Sequence, residues 1–89
     1  MSTLEISERD GAFHVRIDGV SEHTVTVPDG YVARLGLQDV PRGRLIEESF
    51  RFLLEREPKE SIMRTFELPV IERYFPDYAR EITQRLSSA

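Results

Sequence analysis

The sequence predicts an α+β domain whose strands come first. An N-terminal antiparallel β-hairpin, extended to a three-stranded meander, is followed by one long helix and two or three short C-terminal helices. Three observations predict this class: an Asp-Gly pair between alternating segments, a run of β-branched residues, and a helical apolar repeat between two prolines. The length of 89 residues suits one domain, which we assign to residues 1–89.

The first hairpin turns at Asp10 and Gly11. This pair suits a type I′ turn, in which both central residues take positive φ. With these two residues as the loop, apolar side chains share one face, and an ion pair is expected on the other. The predicted cross-strand pairs are Leu4 with Ile17, Ile6 with Val15 and Glu5 with Arg16.

Residues 23–27 are rich in β-branched side chains and predict a third strand. If Val25 and Val27 are to join the buried face of the hairpin, the loop before them must contain about five residues, 19–23. Residues 31–37 are ambiguous, because their apolar residues alternate as in a strand. Asp29 and Gly36 nevertheless bracket the segment as an N-cap and a C′ glycine bracket a helix, and we favour a short helix.

The strongest helix prediction covers residues 41–57. Pro41 fits a first turn, and Pro58 ends the helix because the residue before a proline is driven out of the α region. Charged residues at i, i+4 spacing predict a solvated ladder of ion pairs: Arg44 with Glu48, Glu47 with Arg51, and Arg51 with Glu55. The apolar residues spread over roughly 200° of the helix, which predicts neighbours on two sides. They are Leu45, Ile46, Phe50, Phe52, Leu53 and Leu54.

Beyond Pro58, residues 59–64 predict a short helical turn. Pro69 and Pro76 then stand at the first turns of two further short helices. The second of these helices places Tyr78, Ile82 and Leu86 on one face, and residues 87–89 are expected to fray.

Composition narrows the function. The absence of cysteine excludes disulfides and thiolate metal sites and favours a cytoplasmic location. The first residues lack a signal-peptide pattern, and apolar runs of two or three residues predict no membrane span. The net charge of −4 resides in residues 1–41, which disfavours binding to a phosphate backbone.

The residues also fail to predict catalytic or metal chemistry. His14, His23 and Asp18 could hold a metal only if both imidazoles converged, and the neighbouring Arg16 would oppose a cation. We therefore interpret both histidines as solvated surface residues. Nucleophile-elbow and phosphate-loop motifs are absent, and the hydroxyl of Ser49 is expected to bond back to a helix carbonyl. We expect no catalytic residue, no metal site, no cofactor and no enzymatic activity.

Two surface features remain as candidates. Arg42 and Arg44, at the start of the long helix, are a candidate anion contact. The helical half also holds more apolar residues than a three-stranded sheet requires, which predicts an interface with a protein partner or a second copy of the chain. The candidate interface residues are Phe50, Leu54, Phe66, Leu68, Val70, Ile71, Tyr74, Phe75 and Tyr78.

The leading functional prediction is a small non-catalytic protein-interaction or regulatory module, with a homodimer as one form. One alternative is a nucleic-acid-binding regulator that uses arginines of the helical half. The other alternative is a small enzyme or ligand-binding domain, for whose substrate the sequence gives no indication.

Overall fold

A computed structural model of the chain describes residues 2–87. Four strands form one sheet in the order β1-β2-β3-β4, antiparallel except for the parallel pair β3–β4. Helices cover one face of this sheet, so the predicted α+β class is confirmed. The elements in chain order are β1 (Leu4–Arg9), β2 (Ala12–Ile17), β3 (Ser21–Thr26), α1 (Tyr31–Arg34), α2 (Arg42–Arg56), a 3-10 turn (Lys59–Ser61), β4 (Thr65–Glu67), α3 (Val70–Tyr74) and α4 (Tyr78–Ser87).

The first hairpin has the predicted register in all three pairs. Asp10 and Gly11 have φ values of 56° and 78°, as a type I′ turn requires. The ion pair expected between Glu5 and Arg16 is not the one that forms. Arg16 instead meets Glu22 of β3 at 3.2 Å, because β3 supplies a second carboxylate beside the same guanidinium.

The predicted five-residue loop before the third strand was wrong. The loop has three residues, and Asp18 and Gly19 both take positive φ there. As a result, Val25 pairs with Phe13 instead of Ile17. The two registers differ by four residues, and an even shift leaves every side chain on its predicted face. The apolar pattern alone therefore cannot distinguish them.

Residues 31–37 contain the favoured short helix, α1, and Gly36 ends it with φ of 74°. The amides of Gly36 and Leu37 donate to the carbonyls of Ala33 and Val32, both at 3.0 Å, which is a Schellman motif. Asp29 is not the N-cap that the sequence suggested. Gly30 occupies that position in the left-handed region, without a side-chain cap.

Helix α2 begins and ends within one residue of its predicted bounds, and it packs against β1 and α4. Of the predicted ladder, the Glu47–Arg51 pair forms at 2.8 Å. The other two pairs are replaced by contacts to α4, where Arg85 lies 2.6 Å from Glu55 and 3.9 Å from Glu48.

Strand β4 was not predicted. The helical turn expected over residues 59–64 covers only Lys59–Ser61, after which the chain extends and pairs with β3. Two buried tyrosines connect helices to one another. The hydroxyl of Tyr31 donates to Glu72 of α3 at 2.7 Å, and that of Tyr78 lies 2.6 Å from Ser49 of α2. Residues 88–89 of the predicted frayed end lie outside the described part, and Ser87 closes α4.

Candidate protein-docking site

An apolar pocket of about 380 Å³ opens where the end of α2, the segment before β4, β4 itself and α3 meet. Its volume lies within the range of small-ligand sites, and it can admit one or two side chains. We call it the α3 pocket. Its lining residues are Leu53, Glu57, Ser61, Ile62, Met63, Phe66, Ile71, Tyr74 and Phe75.

The walls of the α3 pocket belong to the core and are therefore fixed. Leu53, Ile62, Phe66 and Ile71 are buried. The Phe66 ring lies 6.0 Å from Phe50, which places this wall within the aromatic packing of the core. Side chains held in a close-packed core keep their rotamers, so the pocket exists before any ligand arrives.

The rim of the α3 pocket carries the most exposed aromatic side chain of the described chain. Tyr74, at the end of α3, is 66% exposed, and Met63 on the opposite segment is 41% exposed. Among residues 2–87, the only other large hydrophobic residue as exposed as these is Val20, which does not line the pocket. Aromatic residues and methionine are enriched at interfaces, where their exposure is compensated by a partner.

His23 holds the rim in place, which corrects its interpretation as a solvated residue. It is only 4% exposed and lies on the inward face of β3. A carbonyl oxygen can only accept, so Nδ1 carries the proton and donates to the Met63 carbonyl at 2.8 Å. The three-residue loop places His23 inside β3, opposite Val15, whereas the predicted loop of residues 19–23 had left it at the very start of the strand. The sequence signal for its burial was the alternation of His23 with Val25 and Val27, because residues two apart in a strand share one face.

The two histidines do not form a metal site. His14 is half-buried on the outward face, with Ser7 as its predicted cross-strand partner and Thr24 Oγ1 at 3.5 Å. His23 points to the opposite face of the sheet. Asp18 instead lies 3.7 Å from Lys59. Over residues 2–87, no group of three or more histidine and carboxylate side chains is placed to hold a metal ion.

Ser21 and His23 form a hydroxyl–imidazole pair that sequence reasoning missed. Ser21 Oγ lies 2.5 Å from Nε2, and in the neutral imidazole whose proton is on Nδ1 the hydroxyl is the donor to Nε2. A serine nucleophile activated by a base has this contact, but it also needs a substrate beside the hydroxyl. Ser21 lines neither of the two concavities described here. We interpret the pair as a structural connection.

The nine candidate interface residues divide into two sets. Five of them lie in the core: Phe50, Phe66, Leu68, Ile71 and Tyr78. The other four reach the surface, with Tyr74 exposed and Leu54, Val70 and Phe75 partly buried. Four of the nine, namely Phe66, Ile71, Tyr74 and Phe75, line the α3 pocket.

The candidate anion contact lies at the exposed start of α2. Arg42 and Arg44 are exposed, and no carboxylate of residues 2–87 forms an ion pair with either. The first turn of α2 has no acidic residue and no side-chain cap. This arrangement leaves two free guanidiniums, without a concavity or a buried polar group that would define a ligand.

A larger concavity, of about 620 Å³, lies on the outward face of the sheet. Its lining is mostly charged and hydroxylated, with both histidines and the aliphatic residues Ile6 and Val15 among its members, and the groove is open to solvent. Exchanging water for a ligand gains little at such a surface, whereas apolar burial is the dominant favourable contribution to most protein association. We therefore select the smaller α3 pocket as the candidate site.

Comparisons with models of known protein families, with curated proteins and with solved structures each find no match to this chain. Within residues 2–87, no helix combines the length and the apolar character needed to cross a membrane. The class defined by the structure is thus a four-stranded, two-layer α+β domain with a preformed apolar pocket at one edge of its sheet.

Proposed function

We propose that this chain is a non-catalytic protein-interaction module, and that a partner protein inserts an apolar side chain into the α3 pocket. The observation that carries the proposal is the exposed Tyr74 beside a rigid apolar pocket. Binding of a partner would bury this ring, and aromatic residues at the edge of a pocket supply a large share of interface energy. The cytoplasmic location expected from the composition is part of this proposal.

The amount of exposed apolar surface favours a partner that uses one or two side chains. Met63 and Tyr74 are the large apolar residues exposed at the pocket. An aromatic side chain contributes on the order of 150–250 Å² when fully buried. The patch therefore falls well below the ~800 Å² per partner of a typical stable interface. A small anchor matches it better than a broad, flat surface does.

The test is a quantitative pull-down from native lysate with wild-type protein, Tyr74→Ala and Val20→Ala. Val20 is the matched control, because it is 75% exposed and does not line the pocket. We expect at least one captured protein that wild type and Val20→Ala retain in equal amounts. Tyr74→Ala should retain at least about tenfold less of the same protein. Mass spectrometry identifies the proteins, and the eluates are assayed for nucleic acid.

Equal retention of every captured protein by Tyr74→Ala would refute the proposal. Recovery of nucleic acid that depends on Arg42 and Arg44 and falls steeply with salt would favour the nucleic-acid-binding alternative instead.

A further inference from the structure

Strand β4 has one free edge. The amide of Thr24 donates to the Arg64 carbonyl at 2.6 Å, and that of Leu68 donates to the Thr26 carbonyl at 2.9 Å. In a parallel ladder, alternate residues of a strand bond to the same neighbour. The backbone groups of residues 64, 66 and 68 are therefore the ones that hydrogen-bond to β3. The backbone groups of Thr65 and Glu67 point away from the sheet, and both residues are exposed.

The α3 pocket lies on the inward side of this free edge. Phe66 is the inward-facing residue of β4 and also a wall of the pocket, whose opposite side is α3. A further strand would run about 4.8 Å beyond β4. Its residue opposite Phe66 would face inward, toward the pocket, while the residues on either side would bond to Thr65 and Glu67.

Charge defines the occupant further. Of the described residues, Glu57 is the only charged one that lines the α3 pocket. Within the described chain, no arginine, lysine or histidine forms an ion pair with it. A cation beside an apolar group would complement this rim. Lysine and arginine side chains suit it, because their aliphatic stems can cover apolar surface while the charged head stays at the edge.

We propose that the partner binds by strand addition. An extended segment pairs with the free edge of β4, places an apolar side chain in the α3 pocket, and sets a lysine or arginine of the same face against Glu57. Residues of one face of a strand are two positions apart, so the segment carries its basic residue two positions from the apolar one. Main-chain bonds provide affinity in this mode, and the pocket provides selectivity. This inference rests on the proposed function and specifies the partner's conformation.

Proline at the free edge tests the proposal directly. Glu67→Pro removes an amide that β3 does not use, and edge strands tolerate proline at such positions. Glu67→Ala is the control that removes the same side chain and keeps the amide. Glu8→Pro is a second control, because Glu8 lies on β1, the opposite edge strand, and its amide also faces away from the sheet. Thr65→Pro replaces Glu67→Pro if circular dichroism shows that the latter is unfolded.

The probe is a phage-displayed library of random peptides of about seven residues, selected on the full-length chain. We expect enriched sequences with an apolar and a basic residue two positions apart. A synthetic peptide of the consensus should bind Glu67→Ala and Glu8→Pro as it binds wild type, and Glu67→Pro and Tyr74→Ala about tenfold more weakly. Amide exchange at Thr65 and Glu67 should be fast in the free protein and slow in the complex.

Each contrary result has one meaning. Enriched peptides that Tyr74→Ala weakens and Glu67→Pro does not would overturn strand addition and leave the proposed function standing. Enriched peptides that neither variant weakens would overturn both. A selection that enriches no sequence would overturn recognition of an extended segment, and the pull-down comparison would still decide the proposed function. Weakening by Glu8→Pro alone would place the bound strand at β1.

Discussion

The hydroxyls of Ser49 and Tyr78 lie 2.6 Å apart in the core, and their protons can be assigned. Ser49 Oγ is also 2.7 Å from the Leu45 carbonyl, which can only accept. Ser49 therefore donates its single proton to the Leu45 carbonyl, and the Tyr78 hydroxyl donates to Ser49 Oγ. Burial raises the pKa of Tyr78, so this donor keeps its proton throughout the physiological range.

The assignment predicts unequal costs for the two deletions. Tyr78→Phe removes a donor and leaves Ser49 bonded to Leu45, so we expect a loss of about 0.5–1.5 kcal/mol. Ser49→Ala leaves the buried Tyr78 hydroxyl without an acceptor and should cost about 1–3 kcal/mol. Urea unfolding of the two single variants and the double variant measures these losses of unfolding free energy. A double variant as unstable as the sum of both changes would contradict the contact, because a shared bond is lost only once.

The two histidines form a second comparison at the residue scale. His23→Ala removes the donor to the Met63 carbonyl and the ring that packs 5.6 Å from Phe50, and we expect it to destabilise the fold by about 2–4 kcal/mol. His14→Ala, on the open face, should cost less than about 1 kcal/mol. Chemical denaturation of both variants tests the assignment. Equal losses of unfolding free energy in the two variants would mean that the contacts of His23 with Met63 and Phe50 do not stabilise the core.

At the scale of elements, Arg85 joins α2 to α4 through carboxylates of both helices. Its hydrogen bond to Glu55 is the largest cause of the lowered pKa of that carboxyl. Glu48 and Glu81 lie at 3.9 and 3.8 Å from the same guanidinium. Since the Glu55 pKa is lower in the folded chain, the stabilisation is present above its unfolded value and is lost as pH falls through the folded value.

Arg85→Met should therefore destabilise the fold at neutral pH and not in acid. We expect a loss of roughly 0.5–1 kcal/mol at pH 7, since Glu55 is largely solvated, and a difference that closes as the pH falls from neutral through the lowered pKa of Glu55. Arg80→Met, on the same helix and without an ion pair in the described chain, is the control. Thermal unfolding across this pH range gives the answer. A constant difference would assign the effect to packing of the arginine stem.

The elements differ in how far local sequence determines them. The first hairpin and α2 were predictable because their signals are local: a turn pair joins the two strands, and two prolines flank the helix. Strand β4 has only three residues, and its partner β3 lies 41 positions earlier in the register Thr24–Thr65. No local pattern encodes such a pairing. The loop before β3 was misplaced for a related reason, since an even shift in register preserves every face and the apolar pattern fits both registers.

For the whole molecule, the apparent excess of apolar residues is mostly absorbed by the core. A helical or alternating pattern indicates which face of an element is apolar, but not how many layers will cover it. The fourth strand and the stacking of α4 on α2 supply that cover, and five of the nine candidate interface residues lie beneath it. Only four residues of the α3 pocket were candidates from the sequence, namely Phe66, Ile71, Tyr74 and Phe75, because the pocket itself depends on β4.

The remaining exposed surface predicts the oligomeric state. Two exposed large hydrophobic residues, Met63 and Tyr74, border the α3 pocket, and they provide far less than the ~800 Å² per partner of a stable interface. The edge of β4 alone is too short to hold two copies of the chain together, because only the backbone groups of Thr65 and Glu67 are free to pair. We therefore expect sedimentation equilibrium at ~10–100 μM to give a single species of 10.3 kDa. A species of twice that mass that Tyr74→Ala dissociates and Val20→Ala does not would instead make a second copy of the chain the occupant of the pocket.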